Sequence, residues 1–387
     1  MHFHCSEELT LTRTMVSEFA ANRIAPGAGR RDEDGRFDRR LFEEIGLLGL
    51  AGIPWPERYG GAGSDMLTYS VALEEISKAC ASTGAVLSAH VALSAWPVYM
   101  FGSEELKQAY LGAMASGTVL GACCFPVSGS GANGSGSGIT VGSEDDVFIL
   151  NGSSSDVVNA ENADIFVVFA QEQSGRRGRR RSAFVVERGT PGLAQGRNIQ
   201  ALGLRSCGAG EIRFTQCRIP KRNLLGKAGQ GGKIAASVLD LAHLSASAQA
   251  VGIAQGALDA AAAYAKERKQ FGQLIGRHQG IMFKLADMAV QIDAARLLAR
   301  QAAWRHPAGL SLRKEAALSW QFASRTAVGV TIEAVQVLGG YGYMQEYQVE
   351  RHMRDAKCLE AGYGTGGGLA GLADAARWML ADSESDS

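Results

Sequence analysis

The C-terminal half of the chain contains the run IAASVLDLAHLSASAQAVGIAQGALDAAAAYA at residues 234–265. Its apolar residues recur at helical spacing, so the run predicts one long amphipathic helix. The alanines near its end carry little bulk, which lets neighbouring helices approach closely. Similar patterns at residues 281–303 and 312–338 predict two more long helices, separated by short breaks that contain Gly or Pro. Long helices joined by short breaks are typical of an antiparallel bundle.

The first third of the chain also predicts helices. Residues 41–50, 69–78 and 85–100 carry apolar positions at helical spacing, and the last of these segments is apolar enough to be buried. Ser103 is expected to cap the next helix, at residues 104–111, because its hydroxyl can accept a hydrogen bond from a free N–H of the first turn.

The middle of the chain consists of short β-rich runs separated by Gly, Ser and Asn. Runs at this spacing predict a compact antiparallel barrel or sandwich. The dipeptide Asn151-Gly152 is a strong hairpin signal and predicts a turn. The predicted strands lie at residues 119–125, 139–141, 147–150, 165–170, 183–186 and 211–214.

These patterns predict an α+β protein with three parts. An N-terminal α-helical domain is expected at residues 1–116 and a small antiparallel β-domain at residues 117–226. A C-terminal antiparallel helix-bundle domain is expected at residues 227–387, with a last helix at 369–381.

The composition narrows the class of function. The 387 residues include 39 basic and 39 acidic side chains, and this zero net charge argues against a nucleic-acid binder. The seven cysteines are scattered without metal-ligand spacing, so we expect no metal site and a reducing, cytoplasmic environment. No uninterrupted apolar run of about 18 residues occurs, so no membrane span is expected. The charged residues near Met1 argue against a signal peptide.

Several short motifs, taken together in their order and spacing, make a specific match. Through them the chain resembles the acyl-CoA dehydrogenase family over nearly its whole length. The motifs are GLLGL at 46–50, ERYGGAG at 57–63, LEEISKACASTG at 73–84, LGLR at 202–205, CRIP at 217–220, YAKERKQFG at 264–272, QVLGGYGY at 336–343 and RHMRDAK at 351–357.

The resemblance implies a cofactor, a substrate class and an assembly. In that family FAD lies between the β-domain and the C-terminal bundle, and the substrate is an acyl thioester, on CoA or on an acyl carrier protein. A glutamate removes the α-proton while hydride leaves the β-carbon for the flavin. Because the family's FAD site borrows residues across an interface, the chain is expected to form a homodimer or homotetramer.

The part of the family's site that holds the FAD pyrophosphate is retained. Arg268 matches an arginine that meets the pyrophosphate, and a guanidinium fits phosphate geometry. A glycine pair would let the backbone approach phosphate closely. Without the match to the family motifs, the same residues would be interpreted as ordinary polar surface residues and a glycine pair at a helix end. The residues that the resemblance assigns to cofactor binding are Ser128, Arg268, Phe271, Gln279, Gln336, Gly339, Gly340 and Thr365.

The side of the site that faces the flavin ring is altered. The family's Ser/Thr-Glu-Pro element falls on residues 128–130, where only the hydroxyl of Ser128 survives. Its Trp-Ile-Thr element falls on Asp156-Val157-Val158, so a covering tryptophan becomes a carboxylate and a donating threonine becomes Val158. Asn159 fits the pattern again. Asp156 is a candidate site residue only if the flavin is displaced, and is otherwise a loop carboxylate.

The catalytic segment departs most from the family. Tyr363 occupies the place of the catalytic glutamate, and Ala242 fills the alternative base position on the bundle helix. A phenol with a pKa near 10 is a poor base at neutral pH. His243 could exchange protons with substrate, or could be a helix histidine that packing satisfies. Asp240, in the same run, is implied to contact the substrate.

Three functions remain open at this point. The first is an FAD-dependent flavoenzyme that carries out α,β-dehydrogenation-type chemistry on an acyl thioester with an atypical site. The second is non-redox α-proton chemistry, such as elimination, isomerisation or cyclisation, that uses His243 and Tyr363 without flavin reduction. The third is a non-catalytic homologue. The arginine run at residues 176–181 could dock a CoA phosphate or an acidic carrier, or could be a solvated loop.

Overall fold

The computed structural model of the protein describes residues 6–125, 138–172, 180–306 and 309–362. Helices come first along the chain, the strands of the main sheet follow, and a second set of helices comes last. The helices are α1 (Glu7–Phe19), α2 (Ala28–Asp34), α3 (Arg39–Leu47), α4 (Met66–Ala79), α5 (Ala81–Ser88), α6 (Trp96–Phe101), α7 (Glu104–Ala115), α8 (Gly231–Glu267), α9 (Gln279–Arg305), α10 (Arg313–Leu338) and α11 (Val349–Glu360). The strands are β1 (Gly121–Cys124), β2 (Thr140–Glu144), β3 (Val147–Val157), β4 (Ile165–Glu172), β5 (Arg181–Glu187), β6 (Leu193–Asn198), β7 (Gly210–Pro220), β8 (Leu224–Leu225), β9 (Lys269–Gln270) and β10 (Gln273–Leu274).

Side-chain caps set the start of several N-terminal helices. The hydroxyl of Ser103 accepts a hydrogen bond from the N–H of Leu106 at 3.3 Å, which confirms the predicted cap of α7. Asp65 caps α4 in the same way, through the N–H of Thr68 at 2.8 Å. The apolar segment predicted as one helix at residues 85–100 is divided, because a π-helical turn at Ala89–Ala95 separates α5 from α6.

The middle of the chain forms a mostly antiparallel sheet with strand order β6-β7-β3-β2-β4-β5-β8. The expectation of purely antiparallel pairing needs one correction, because β4 pairs in parallel with both β1 and β2. Strands β6 and β8 were not predicted. Most residues of β6 are exposed, so this edge strand has no apolar face for the sequence pattern to reveal.

The hairpin turn predicted at Asn151-Gly152 is wrong. These residues lie inside β3, and the turn between β2 and β3 is formed by Asp145 and Asp146, since Glu144 pairs with Val147. The register of β3 against β7 shifts between Leu150 and Gly152, and Gly152 has a φ of 123°. The dipeptide therefore marks a bulge, which also needs a conformationally free residue.

Helix α8 is the central helix of the C-terminal bundle and also packs against the N-terminal helices α4 and α5. Its small residues allow this close approach, as predicted from the alanines. A Cβ atom at Gly252 would overlap the main-chain oxygen of Glu74 in α4. Ala257 and Ala261 are both 0% exposed. Helices α9 and α10 complete the bundle beside α8.

Two helical segments, Ala81–Phe101 and Gly231–Glu267, are long and apolar enough to cross a membrane by length and composition alone. Their most apolar windows are 83% and 78% buried inside the protein. This degree of burial is typical of core helices in a folded domain. The helix predicted at residues 369–381 lies outside the described residues.

Candidate active site

The middle of α8 carries the predicted substrate and proton-transfer residues. Asp240 and His243 are three residues apart, so helical geometry places them on neighbouring positions of one side. The Nε atom of Arg313, in the first turn of α10, lies 3.3 Å from Oδ1 of Asp240. The carboxylate of Asp240 is therefore already engaged by an arginine.

His243 is 3% exposed, and its ring stacks on the indole of Trp320 in α10. The ring centroids are 4.9 Å apart and the two planes differ by only 6°. One face of the imidazole is thus covered by Trp320. A parallel stack of this kind is a packing contact with a favourable geometry, and it gives His243 a structural role whatever else it does.

The alternative base position on α8 holds no acid. Ala242 is 1% exposed, and its methyl group can neither take up nor release a proton. Buried carboxylates elsewhere in the described part of the chain are all matched to a donor. The contacts are Asp32 with Arg354 at 2.6 Å, Glu74 with Arg296 at 2.8 Å, Glu75 with Arg13 at 2.7 Å, and Asp355 with the N–H of Leu204 at 2.6 Å.

The ends of α8 and α10 meet at another part of the bundle. Arg268 follows the last residue of α8, and its guanidinium carbon lies 5.4 Å from the ring centroid of Tyr341, just after α10. Gly339 ends α10 with φ 60° and ψ −133°, a conformation open essentially only to glycine. A Cβ atom at Gly339 or at Gly340 would meet no atom within 4 Å. The structure therefore brings a guanidinium and an open stretch of backbone to one surface.

The groups at this surface are of the kind that bind the diphosphate of FAD. A guanidinium offers forked N–H donors to phosphate oxygens, and side-chain-free glycines leave the backbone accessible. Two more predicted residues lie at the same ends of the bundle, where Gln279 begins α9 and Gln336 lies in the last turn of α10. Both side chains are exposed.

Phe271 lies at the tip of the β9–β10 hairpin, next to Arg268. It is 92% exposed and has a φ of 51°, and Gly272 beside it has a φ of 81°. These two positive φ angles are those of a tight hairpin turn. The Phe271 ring touches His278 by one edge and is otherwise available to a ligand or to a second subunit.

The altered segment at the end of β3 divides into an exposed and a buried part. Asp156 is exposed, and its Oδ2 accepts a hydrogen bond from the hydroxyl of Ser155 at 3.3 Å. Val158 is 5% exposed and Asn159 is 1% exposed. The side-chain amide of Asn159 donates to the main-chain oxygens of Val86, at 3.2 Å, and Gly121, at 3.0 Å.

Some predicted site residues lie outside the described part of the chain. These are Tyr363, Ser128 and Thr365, together with residues 176–179 of the arginine run. Of the two described residues of that run, Arg180 lies 3.5 Å from Glu172, and Arg181 begins β5.

Three family models match the chain almost from end to end. They describe the N-terminal domain of acyl-CoA dehydrogenases at residues 6–118, the middle domain at 126–217 and the C-terminal domain at 229–372. The chain belongs to the acyl-CoA dehydrogenase family. Members of this family are FAD-dependent oxidoreductases that dehydrogenate acyl-CoA.

Curated relatives of this acyl-CoA dehydrogenase cover nearly all of it. An acyl-CoA dehydrogenase of Bacillus subtilis is 43% identical over 364 residues, which are 94% of this chain and 96% of the relative. A short-chain specific acyl-CoA dehydrogenase of Clostridium acetobutylicum is 41% identical over 365 residues, or 94% of this chain and 96% of the relative.

Solved structures show the same fold. Butyryl-CoA dehydrogenase from Megasphaera elsdenii superposes with a TM-score of 0.93 at 37% identity, covering 98% of this chain and 100% of that chain. PigA, solved with FAD and proline, superposes with a TM-score of 0.90 at 28% identity, covering 98% of this chain and 99% of that chain.

Three residues that contact the predicted site residues or motifs were not predicted from the sequence: Trp320 stacks on His243, Tyr341 lies against Arg268, and Asp355 accepts the N–H of Leu204. Tyr341 and Asp355 lie inside the motifs at 336–343 and 351–357, so the motifs could have drawn attention to them. No motif pointed to Trp320, whose contact with His243 depends on how α8 and α10 pack.

Proposed function

We propose that the protein is an FAD-dependent enzyme that oxidises an acyl thioester from an active site without an acidic proton acceptor at either family position. The observation that carries this proposal is Ala242, a buried methyl group on α8 at the alternative base position. The other family position holds Tyr363 in the sequence. Both standard places for a carboxylate base are therefore occupied by other side chains.

The cofactor's binding determinants are proposed to lie at the ends of α8, α9 and α10. Arg268, Gln279 and Gln336 would donate to the diphosphate side of FAD, and Gly339 with Gly340 would let backbone approach it. Bound FAD supplies the acceptor for the hydride that leaves the β-carbon. The protein's own part is to hold the thioester, exclude water and take up the α-proton.

Tyr363 and His243 are the proposed residues for that proton. A phenol can donate a hydrogen bond to the thioester carbonyl and so make the α-carbon more acidic. An imidazole can accept a proton near neutral pH, and His243 directly follows Ala242, the alternative base position, on α8. Asp240 is proposed to contact the substrate, with Arg313 holding its carboxylate in place.

The substrate is proposed to be a short acyl group. This rests on the names of relatives, since the Clostridium acetobutylicum and human relatives, 41% and 40% identical, are both short-chain specific acyl-CoA dehydrogenases. A carrier-protein thioester is the finer alternative, because a prolyl acyl carrier protein oxidase superposes with a TM-score of 0.89 at 27% identity. We propose a cytoplasmic enzyme, because the scattered cysteines suit a reducing compartment.

The protein is proposed to work as a homo-oligomer, dimer or tetramer, through the outer side of the bundle. Helix α9 exposes large apolar side chains at intervals of seven residues, and α10 exposes three more. Burying such an apolar stripe away from water requires a second subunit that packs against it. The exposed residues are Phe283, Val290, Leu297 and Trp304 on α9, and Leu318, Phe322 and Ile332 on α10.

One observation favours the second candidate function, non-redox α-proton chemistry. His243 is a buried imidazole beside Ala242, where a base could act without any flavin. An anaerobic titration of the purified enzyme with butyryl-CoA separates the two functions. Bleaching of the flavin absorbance supports dehydrogenation. Product formation without bleaching, or a colourless protein, would refute it.

Restoring an acid tests the atypical site. Ala242→Glu and Tyr363→Glu each return a carboxylate to a family position, so we expect faster bleaching by about tenfold or more, within the range of general base catalysis. The matched amide variants, Ala242→Gln and Tyr363→Gln, control for size and should show no gain. If neither acid variant improves bleaching while FAD stays bound, the absence of the carboxylate does not limit the reaction.

A further inference from the structure

Helix α11 is tied to the loop at residues 202–208 by two buried side chains. The N–H of Leu204 donates to Oδ1 of Asp355 at 2.6 Å, and the N–H of Gly203 donates to Sγ of Cys358 at 3.0 Å. A Cβ atom at Gly203 would overlap the main chain of α11, so loop and helix touch through their backbones. The loop is thus held firmly against α11.

The same loop holds the turn at the end of β3. The N–H of Cys207 donates to the main-chain oxygen of Leu204 at 3.2 Å, which closes the loop on itself. The main-chain oxygen of Cys207 then accepts the N–H of Asn159 at 3.0 Å. A continuous path of main chain and hydrogen bonds therefore connects Asp355 to Asn159.

Asn159 extends the path to two other elements. Its side-chain amide donates to the main-chain oxygen of Val86 in α5 and to that of Gly121 in β1. These contacts join the N-terminal helices, the sheet and α11 at one buried asparagine. A shift of the loop at 202–208 would consequently also move the segment at residues 156–159, where β3 ends.

Backbone strain marks both ends of this path. Leu204, Asp156 and Asn159 have φ angles of 52°, 59° and 68°, in the left-handed region that favours glycine. A non-glycine residue keeps such a conformation only where its surroundings impose it, and strain of this kind clusters at functional sites. Here Asp355 accepts the N–H of Leu204, and the main-chain oxygen of Cys207 accepts the N–H of Asn159, so these two contacts hold the strained residues in place.

We infer that Asp355 is a positioning residue, which acts through Leu204 and Cys207 to set the conformation of the turn at residues 156–159. The role of that turn rests on the proposed function, together with the family resemblance that implies a place beside the flavin ring for residues 156–158. Asp355 acts through the main chain and not on a reacting atom. Burial raises the pKa of the Asp355 carboxyl to about 6, and the positive charges of Arg351 and Arg354 oppose that rise.

Amide hydrogen exchange of the full-length protein, without added flavin, tests the inference. Asp355→Leu removes the acceptor at similar volume, so the peptides that cover 202–208 and 156–161 should both exchange about tenfold faster. The control is Glu360→Gln, which alters another α11 carboxylate that pairs with Lys357 instead. That variant should leave both peptides unchanged.

A milder variant covers the case in which Asp355→Leu does not fold. Asp355→Asn keeps an oxygen acceptor but loses its charge, so a smaller acceleration of about threefold is expected in both peptides. Faster exchange confined to 202–208, or no change in either peptide, would overturn the inference.

Flavin affinity provides the second readout. If the turn contacts the cofactor, Asp355→Leu should also weaken FAD binding, measured by fluorescence quenching, by about tenfold or more. Coupled exchange with unchanged FAD affinity would refute the cofactor role of the turn. If the wild-type protein binds no FAD, the proposed function fails, whereas the exchange result still decides whether Asp355 controls the turn.

Discussion

The Nδ1 atom of His90 accepts a hydrogen bond from the N–H of Gly121 at 3.0 Å. This leaves Nε2 to carry the proton and to donate to the main-chain oxygen of Met114 at 3.1 Å. The neutral imidazole therefore connects the π-helical turn after α5 to strand β1 and to helix α7. His90 is 0% exposed, and burial lowers its pKa from 6.5 to about 4.

Stability is expected to fall as the pH drops from 6.5 towards 4. In that window the unfolded chain binds a proton at His90 that the folded protein does not bind, so acid favours unfolding by up to about 3 kcal/mol. His90→Gln cannot titrate and should flatten this part of the curve, as measured by urea unfolding at several pH values. His278→Gln, at the N-terminal end of α9, is the control. Equal pH dependence in wild type and His90→Gln would contradict the assignment.

The stack of His243 on Trp320 predicts that packing and proton transfer can be separated. His243→Ala leaves a cavity and should cost about 2–4 kcal/mol of unfolding free energy, whereas His243→Phe keeps a ring there and should recover most of it. Because phenylalanine cannot exchange a proton, the second variant should still lose flavin bleaching by about a hundredfold. A His243→Phe protein that is both stable and fully active would assign His243 to packing alone.

The crossing of α8 and α4 at Gly252 predicts a strong size limit. Gly252→Ala places a methyl group against the main chain of Glu74 and should cost about 3 kcal/mol, measured by thermal or urea unfolding. Gly232→Ala is the matched control, since Gly232 is exposed near the start of the same helix and has open space around it. Similar stability in the two variants would mean that the helices can move apart freely.

The apolar stripe on α9 predicts how the oligomer can be broken. Leu297→Glu places a charge in the stripe, so dissociation to smaller species is expected in sedimentation velocity. Leu11→Glu controls for the loss of an exposed leucine, because Leu11 is 65% exposed on α1, outside the stripe. If both variants sediment like the wild type, the subunit contacts lie elsewhere.

Arg268 is expected to dominate affinity for the FAD diphosphate. Arg268→Ala should raise the dissociation constant of FAD by about tenfold or more, because charge-assisted hydrogen bonds are lost. Arg268→Lys keeps the positive charge but loses the forked pair of guanidinium donors, so its dissociation constant for FAD should lie between those of the wild type and Arg268→Ala. Arg30→Ala removes an exposed arginine of α2 and should leave FAD affinity unchanged. Equal FAD affinity in wild type and Arg268→Ala would remove the arginine from the site.

The sequence predicted the long helices well because their amphipathic pattern extends over many turns. Helix α10 begins and ends within one residue of its predicted range, 312–338. The short strands form only by pairing with other strands, and local sequence does not identify those partners. Strand β6 forms because β7 offers it a free edge, and the two-residue β8 forms beside β5. Local sequence patterns cannot specify such pairings.

The candidate site divides in the same way. Arg268 and the glycines at 339–340 could be proposed as cofactor-binding residues from the sequence because motifs carry them. The path from Asp355 to Asn159 could not, since it depends on main-chain N–H and C=O groups, which every residue possesses. The stack of Trp320 on His243 was hidden for a related reason, because it joins residues of two helices whose packing the sequence does not display.

The order of the chain has a consequence for its synthesis on the ribosome. Helices α4 and α5 bury one side against α8, yet the whole sheet is translated before Gly231 emerges. The nascent chain therefore exposes an apolar surface during translation, a typical substrate for chaperones. A fragment that stops before α8 lacks the partner of these helices, and is expected to aggregate when expressed alone.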